Sequence, residues 1–205
     1  MAETIEHILF LGADDSPLLK WLREKEKVVI NTSEKITPEF IKQNNITFLI
    51  SYGYRHILKK DILDKFQDKA INLHISYLPW NRGADPNFWS FVEGTPKGIT
   101  IHYLDEGVDT GDIIAQKMVT FESENETLAT TYQKLHNEIQ ELFKQHWVEI
   151  KTGKCVRQKQ TGVGSFHKVK DKDALSHLLT DGWDTPVTRL EEYAAHGRVS
   201  KTNWG

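Results

Sequence analysis

Short apolar runs alternate with capped helical patterns through the first 76 residues. "HILFLG", "KVVINT", "ITFLISYG" and "AINLHIS" read as strands. Between them, Ser16 before Pro17 and Thr37 before Pro38 place a cap residue and a first-turn proline at two helix starts, and "KKDILDKF" forms a further short helix. This alternation predicts an α/β fold: a mostly parallel sheet with right-handed crossovers and helices on both faces. "NFWSFVEG" reads as a helix stopped by Gly94. The grammar then changes. "GITIHYL" and "DIIAQKMVTF" are strands joined by the turn-rich "DEGVDTG", a spacing suited to an antiparallel pair that makes the sheet mixed at one side. From Thr127 the positions Leu128, Tyr132, Leu135, Ile139, Leu142 and Trp147 recur at helical steps and predict a long amphipathic helix covering a sheet face. A lysine-rich loop and one or two short helices are expected after about Lys151, so residues 1–150 read as the principal domain and 151–205 as a C-terminal extension.

The strand "AINLHIS" breaks a rule. A strand covered on both sides should be almost continuously apolar, yet Asn72, His74 and Ser76 occupy one face, with Ile71, Leu73 and Ile75 on the other. The polar residues lie toward the carboxyl end of the strand, where open α/β sheets bind ligands. An edge strand with one solvated face would give the same pattern. In "GITIHYLDEGVDTGDII", His102, Asp105, Glu106, Asp109 and Asp112 cluster around two glycines, which taken alone reads as a solvated acidic turn.

Charge and cysteine usage narrow the chemistry. A net charge of −3 offers no basic field for phosphate backbones, so nucleic acid is not an expected partner. The single cysteine, Cys155, rules out an intramolecular disulfide and a Cys-based metal cluster. Neither a HExxH helix nor an EF-hand loop occurs, and no metal site is expected; no Walker loop, GxSxG elbow or GxGxxG fingerprint is present. The acidic opening "MAETIEHILFLGADD" has too short an apolar run for a secretory signal or a membrane span, which favours a cytoplasmic address.

"NLHISYLPWNRG" resembles the N-x-H-x-S-x-L-P-x-x-x-G motif of the folate-dependent formyltransferases, and "GITIHYLDEGVDTGDII" resembles their second signature, which ends in D-x-G. The two stand in the family's order, and the resemblance covers roughly residues 5 to 150, the family's Rossmann-like catalytic domain. It implies that Asn72, His74 and Asp109 are catalytic and that 10-formyltetrahydrofolate is the co-substrate. Asp112 departs from the proline usual just after D-x-G.

The resemblance also implies a folate pocket lined largely by backbone from "YGYRHIL" and "YLDEGVD", which makes His56, Ile57, Leu58, Leu104, Asp105 and Glu106 candidates; core packing explains the apolar ones equally well. "SYLPWNRGADPNFWSF" and "GSFHKVKDKD" look most like the branch acting on dTDP- or UDP-linked amino sugars, for instance dTDP-4-amino-4,6-dideoxyglucose, in O-antigen and lipopolysaccharide synthesis, by enzymes that are often homodimers. Tyr77, Trp80, Arg82 and Lys168 are then the candidates for contacting such a nucleotide sugar. Phosphoribosylglycinamide formyltransferase is the main alternative. Against it, Asp14 and Asp15 in "GADDSPLLKW" would repel a ribonucleotide phosphate where a small Gly-rich loop is expected. A non-catalytic folate- or nucleotide-binding module on the same fold is a further alternative.

Overall fold

The computed structural model describes residues 5–202. The elements are β1 (His7–Leu11), α1 (Pro17–Lys25), β2 (Val28–Thr32), α2 (Pro38–Gln43), β3 (Phe48–Tyr52), α3 (Lys60–Leu63), β4 (Ala70–His74), β5 (Arg82–Gly83), α4 (Pro86–Val92), β6 (Gly98–Tyr103), β7 (Ile113–Met118), α5 (Leu128–Lys151), β8 (Phe166–His167) and α6 (Val187–Thr202). Six strands form one sheet in the order β2-β1-β3-β4-β6-β7. Parallel ladders join β1 to β2, β1 to β3 and β3 to β4. The remaining strands reverse direction. The Leu104 N–H bonds the Ala70 C=O while Asn72 faces His102, so β6 runs antiparallel to β4. The Tyr103 N–H bonds the Asp112 C=O, and the Val119 N–H bonds the Lys97 C=O, which sets β7 antiparallel to β6.

The chain forms two compact units. The first comprises residues 1–74, 101–115 and 142–159. Period-two alternation works on both faces of its sheet. Leu9, Leu11 and Leu49 face a core built with Ile36, Ile41, Ile62, Leu63 and Phe66. On the opposite face the Phe48 ring meets Trp147 of α5 edge-on at 5.4 Å, and Phe143 meets Trp21 of α1 at 6.1 Å. These layers are the two helical covers that alternating strands and helices require. Thr37 caps α2 as its sequence predicts, accepting the Phe40 N–H at 3.2 Å. Ser16 does occupy the cap position of α1, but its hydroxyl makes no capping bond; Pro17 alone carries the start signal in side-chain terms.

The second unit comprises residues 75–100, 116–141 and 160–205. Phe88, Trp89, Phe91 and Val92 of α4 pack with Leu128, Leu178, Val187 and Leu190. The two-residue strands β5 and β8 pair in parallel. The tail is more ordered than a loop with short helices: 3-10 turns over Val169–Leu178 lead to the sixteen-residue α6. Tyr132 departs from the predicted apolar stripe of α5. It is 39 % exposed and meets the ring of Trp183 at 5.2 Å.

His136, one turn further along α5, stacks obliquely on Tyr132 at 4.2 Å. Burial lowers its pKa from 6.5 to about 4. Because the unfolded chain takes up that proton first, stability is lost as pH falls below about 6.5 and levels off below about 4. Up to about 3 kcal/mol is at stake. Denaturant titrations at pH 7 and pH 4.5 should show a smaller acid loss in His136→Gln than in the wild-type chain. Equal losses would mean that His136 does not carry the effect.

Candidate active site

Alternation along β4 buries Ile71 and Leu73 on one face and leaves Asn72 and His74 on the other. The strand is not an edge: β3 pairs with it on one side and β6 on the other. A solvated face is therefore not the reason for its polarity. His74 is only 8 % exposed, and polar groups so enclosed need partners.

Those partners come from β6 and the loop after it. The Asn72 Nδ2 donates to Asp109 Oδ1 at 3.0 Å and lies 3.2 Å from His102 Nε2. His102 Nδ1 lies 2.8 Å from the Tyr103 C=O. A carbonyl only accepts, so Nδ1 holds the proton, and in the neutral ring Nε2 is left as the acceptor facing Asn72. A carboxylate oxygen beside Asn72 likewise fixes which end of the amide points inward. His102 Nε2 stands 3.4 Å from Asp109 Oδ1, and His74 Nε2 stands 3.7 Å from Asp109 Oδ2. The second distance is an ion-pair contact and is too long for a direct hydrogen bond.

Asp109 is delivered by a loop that braces itself. Asp105 Oδ1 accepts the Gly107 N–H at 3.1 Å and the Thr110 hydroxyl at 2.6 Å. Asp109 itself has φ +55°, in the left-handed region that Asp and Asn tolerate better than most residues. At Gly111 the chain passes so close to β6 that a Cβ would lie 1.8 Å from the Tyr103 carbonyl oxygen. The departure from proline at position 112 also has a local role: the Asp112 carboxylate accepts from Lys159 Nζ at 3.1 Å and Arg157 Nε at 3.2 Å. Lys159 first, then Arg157, holds that carboxyl below the usual carboxylate range.

Asn72, His74 and Asp109 thus lie together, the three residues that the family resemblance singles out. His102 is a fourth member that the sequence assignment left out. Its signal was available, because "GITIHY" alternates Ile99 and Ile101 with Thr100 and His102, so a polar face on β6 answers the polar face on β4. Both amide hydrogens of Asn72 are directed within the cluster, so the amide must release one to donate to an incoming oxygen. Rearrangement of this kind on substrate binding is common in acid–base sites.

The six folate candidates separate by role. Ile57 is 74 % exposed beside an exposed His56, whereas Leu58 is buried in the core with Ile62. Leu104 packs against that same core, and Asp105 is occupied with its own loop. Glu106 reaches Lys60 Nζ at 2.9 Å, tying the acidic loop to α3 just beyond residues 56–58. In the second unit, Tyr77 and Trp80 are half-buried, and Arg82 donates through Nε and Nη2 to Gln160 Oε1 at 3.2 and 2.9 Å. Lys168 is exposed, with its backbone N–H bonded to Asp171. Ser76 Oγ donates to the Trp80 C=O at 2.8 Å, a strand-end role rather than a place in the cluster. Among the described residues, no group of three or more His, Cys, Asp and Glu side chains is arranged to hold a metal ion.

An amide, two imidazoles and a carboxylate converging at the end of an interior strand form an acid–base set with donors suited to a developing oxyanion. Residues 22–146 match the family described as formyl transferase. The chain belongs to that family. The chain is 50 % identical to the formyltransferase PseJ of Anoxybacillus kamchatkensis, with a TM-score of 0.87 over 92 % of this chain and 99 % of that one. PseJ was solved with UDP-4,6-dideoxy-4-formamido-L-AltNAc and tetrahydrofolate. A sugar N-formyltransferase from a Shewanella species shares the fold, with a TM-score of 0.74 at 19 % identity over 92 % of this chain and 87 % of that one. The methionyl-tRNA formyltransferase of Caldanaerobacter subterraneus is 30 % identical over 173 residues, 82 % of this chain and 55 % of the relative. The chain spans about half the length of the curated relatives it matches. Among the described residues, no helix is long and apolar enough to cross a membrane.

Proposed function

We propose that this formyltransferase moves the formyl group of 10-formyltetrahydrofolate onto the 4-amine of a UDP-linked 4-amino-4,6-dideoxy sugar of the L-AltNAc type. The observation that carries this reading is the 50 % identity to PseJ over 99 % of its length, because the molecules bound there are a 4-formamido nucleotide sugar and a folate without its formyl group. A UDP carrier is thereby favoured over the dTDP example considered from sequence. The neighbours solved with dTDP or dTDP-3-aminofucose are only 22 % and 21 % identical and speak for the fold alone.

In the proposed reaction the amine nitrogen attacks the formyl carbon and the C=O electron pair moves onto oxygen; that pair then returns to re-form the C=O as the C–N bond to the folate nitrogen breaks. Charge gathers on the formyl oxygen, where an imidazole N–H of His74 and an amide N–H of Asn72 act as donors. Asp109 takes the proton that the amine loses, and the same proton is passed back to the departing folate nitrogen, so that none is gained or lost overall. His102 holds the Asn72 amide in its inward orientation through the Tyr103 C=O and Nε2 contacts. The folate supplies the formyl group and a leaving nitrogen, with the edges of residues 56–58 and 104–106 proposed to hold its ring. Ile57 offers an exposed apolar side chain to such a ring, and the Lys60–Glu106 pair keeps the two segments together.

Kinetics with a panel of acceptors tests the assignment: UDP- and dTDP-linked 4-amino and 3-amino dideoxysugars, glycinamide ribonucleotide and methionyl-tRNA. The UDP-linked 4-amino sugar should give the highest kcat/KM. Preference for glycinamide ribonucleotide would establish the alternative enzyme, and folate binding without turnover on any amine would establish a binding module. Substituting Asn72 with alanine should lower kcat by about 10²–10³ on the preferred acceptor, as removal of an oxyanion donor does. Near-wild-type turnover would remove Asn72 from that role.

A further inference from the structure

In the first unit, residues 155–159 follow α5 and meet the start of β7, where Ile113 and Gln158 exchange backbone hydrogen bonds at 2.7 and 3.0 Å. Arg157 and Lys159, on either side of Gln158, both reach Asp112. Arg157 Nε donates to Asp112 Oδ2 at 3.2 Å, and Lys159 Nζ lies 2.9 Å from Oδ1 and 3.1 Å from Oδ2.

Arg157 makes two further contacts. Its Nη1 pairs with Asp68 Oδ1, and its guanidinium carbon lies 4.1 Å from the centre of the Tyr103 ring. Each of the three contacts falls where the backbone delivers a member of the acid–base set. Asp68 stands two residues before β4, the strand of Asn72 and His74. Tyr103 follows His102 and accepts from its Nδ1 through the backbone C=O at 2.8 Å. Tyr103 and Asp112 close the loop that carries Asp109, joined by an N–H···O=C bond of 2.9 Å. One planar side chain with a donor fork serves all three places, which a lysine ammonium could not do.

The network has little leverage on the fold. The Arg157 and Asp68 side chains are 43 % and 62 % exposed, and exposed ion pairs add little to stability. Its leverage on rate is larger, because moving a reacting group by about 1 Å can cost roughly 10²-fold. We propose that Arg157 is a positioning residue for formyl transfer, fixing the Asp109 loop against β6 and the approach to β4 with Asp112 and Lys159 as its partners. The assignment rests on the formyl-transfer reading above. A proline at position 112 would stiffen the loop end through its own fixed φ. In this chain Asp112 draws that stiffness from residues 157 and 159 instead.

Steady-state kinetics of Arg157→Gln, Asp112→Asn, their double substitution and Lys159→Gln test the proposal, with thermal melts and amide hydrogen exchange over residues 104–112. Arg157→Gln should lower kcat about tenfold with both KM values within about twofold and a nearly unchanged melt. Asp112→Asn should lower kcat about fivefold, and the double variant should be no more than about twofold slower than Arg157→Gln, since both act through one contact. Exchange over 104–112 should quicken at least about fivefold in Arg157→Gln, with β1 and β3 as in wild type. The Lys159 side chain is 85 % exposed, so Lys159→Gln leaves the core untouched; it should lower kcat about twofold to threefold. Wild-type kcat and exchange in these variants, while the wild-type chain formylates a nucleotide sugar, would overturn the positioning role and leave the function standing. A raised KM with unchanged kcat would make Arg157 a ligand contact and overturn it as well. So would an early melt of Arg157→Gln alongside wild-type kcat in Lys159→Gln, which would assign the network to stability. Absence of formyl transfer to any amine by the wild-type chain would overturn both readings.

Discussion

Asp109→Asn should lower kcat for formyl transfer by about a thousandfold while leaving both substrate KM values within a few-fold of wild type, in the range set by loss of a positioned acid–base group. The substitution is chosen because it changes charge and almost nothing else. Asparagine tolerates the left-handed backbone at φ +55° as aspartate does, and its carbonyl oxygen can still accept the Asn72 amide hydrogen. What disappears is the carboxylate that faces His74 Nε2 at 3.7 Å and His102 Nε2 at 3.4 Å. An amide in that place cannot take the proton that the attacking amine must shed. Initial rates and a thermal melt measured side by side separate chemistry from folding. A folded variant with near-wild-type kcat would show that Asp109 is not the proton acceptor.

The second large effect is expected at a residue without a functional group. In Gly111→Ala the new Cβ would sit 1.8 Å from the Tyr103 carbonyl oxygen, a backbone atom that cannot swing aside. Either β6 or the loop must move, and the same Tyr103 carbonyl orients His102 through Nδ1. Forced overpacking of this kind costs about 3 kcal/mol. A displacement of reacting groups by about 1 Å can lower a rate by roughly 10²-fold. The variant should therefore melt earlier and, where still folded, retain about one hundredth or less of the activity. Wild-type stability together with wild-type kcat would contradict the close approach.

Much of this architecture is written locally. The apolar runs of β1 and β3, the Thr37–Pro38 helix start and the α5 stripe from Leu135 to Trp147 each depend on neighbours within a turn or a strand, and each appears where the sequence places it. The polar face of β4 was visible too, but its meaning needed the sheet order: only with β6 alongside does Asn72 meet His102 rather than water. The alternation of "GITIHY" puts His102 on the polar face of β6, whereas its tautomer is set by the Tyr103 carbonyl oxygen, which no residue letter encodes. Tyr132 sits on the helical stripe yet faces Trp183, a contact made by residues 51 positions apart in the chain. Ser16 shows the opposite failure: the cap position is correct, but its hydroxyl makes no capping bond.

Product analysis after incubating the full chain with 10-formyltetrahydrofolate and UDP-4-amino-4,6-dideoxy-L-AltNAc tests the central claim most directly. Mass spectrometry and NMR should find one formamide on the 4-nitrogen for each tetrahydrofolate released, with the yield collapsing in Asp109→Asn. Release of tetrahydrofolate and free formate with the sugar amine unmodified, or no consumption of the folate while glycinamide ribonucleotide is formylated, would contradict it.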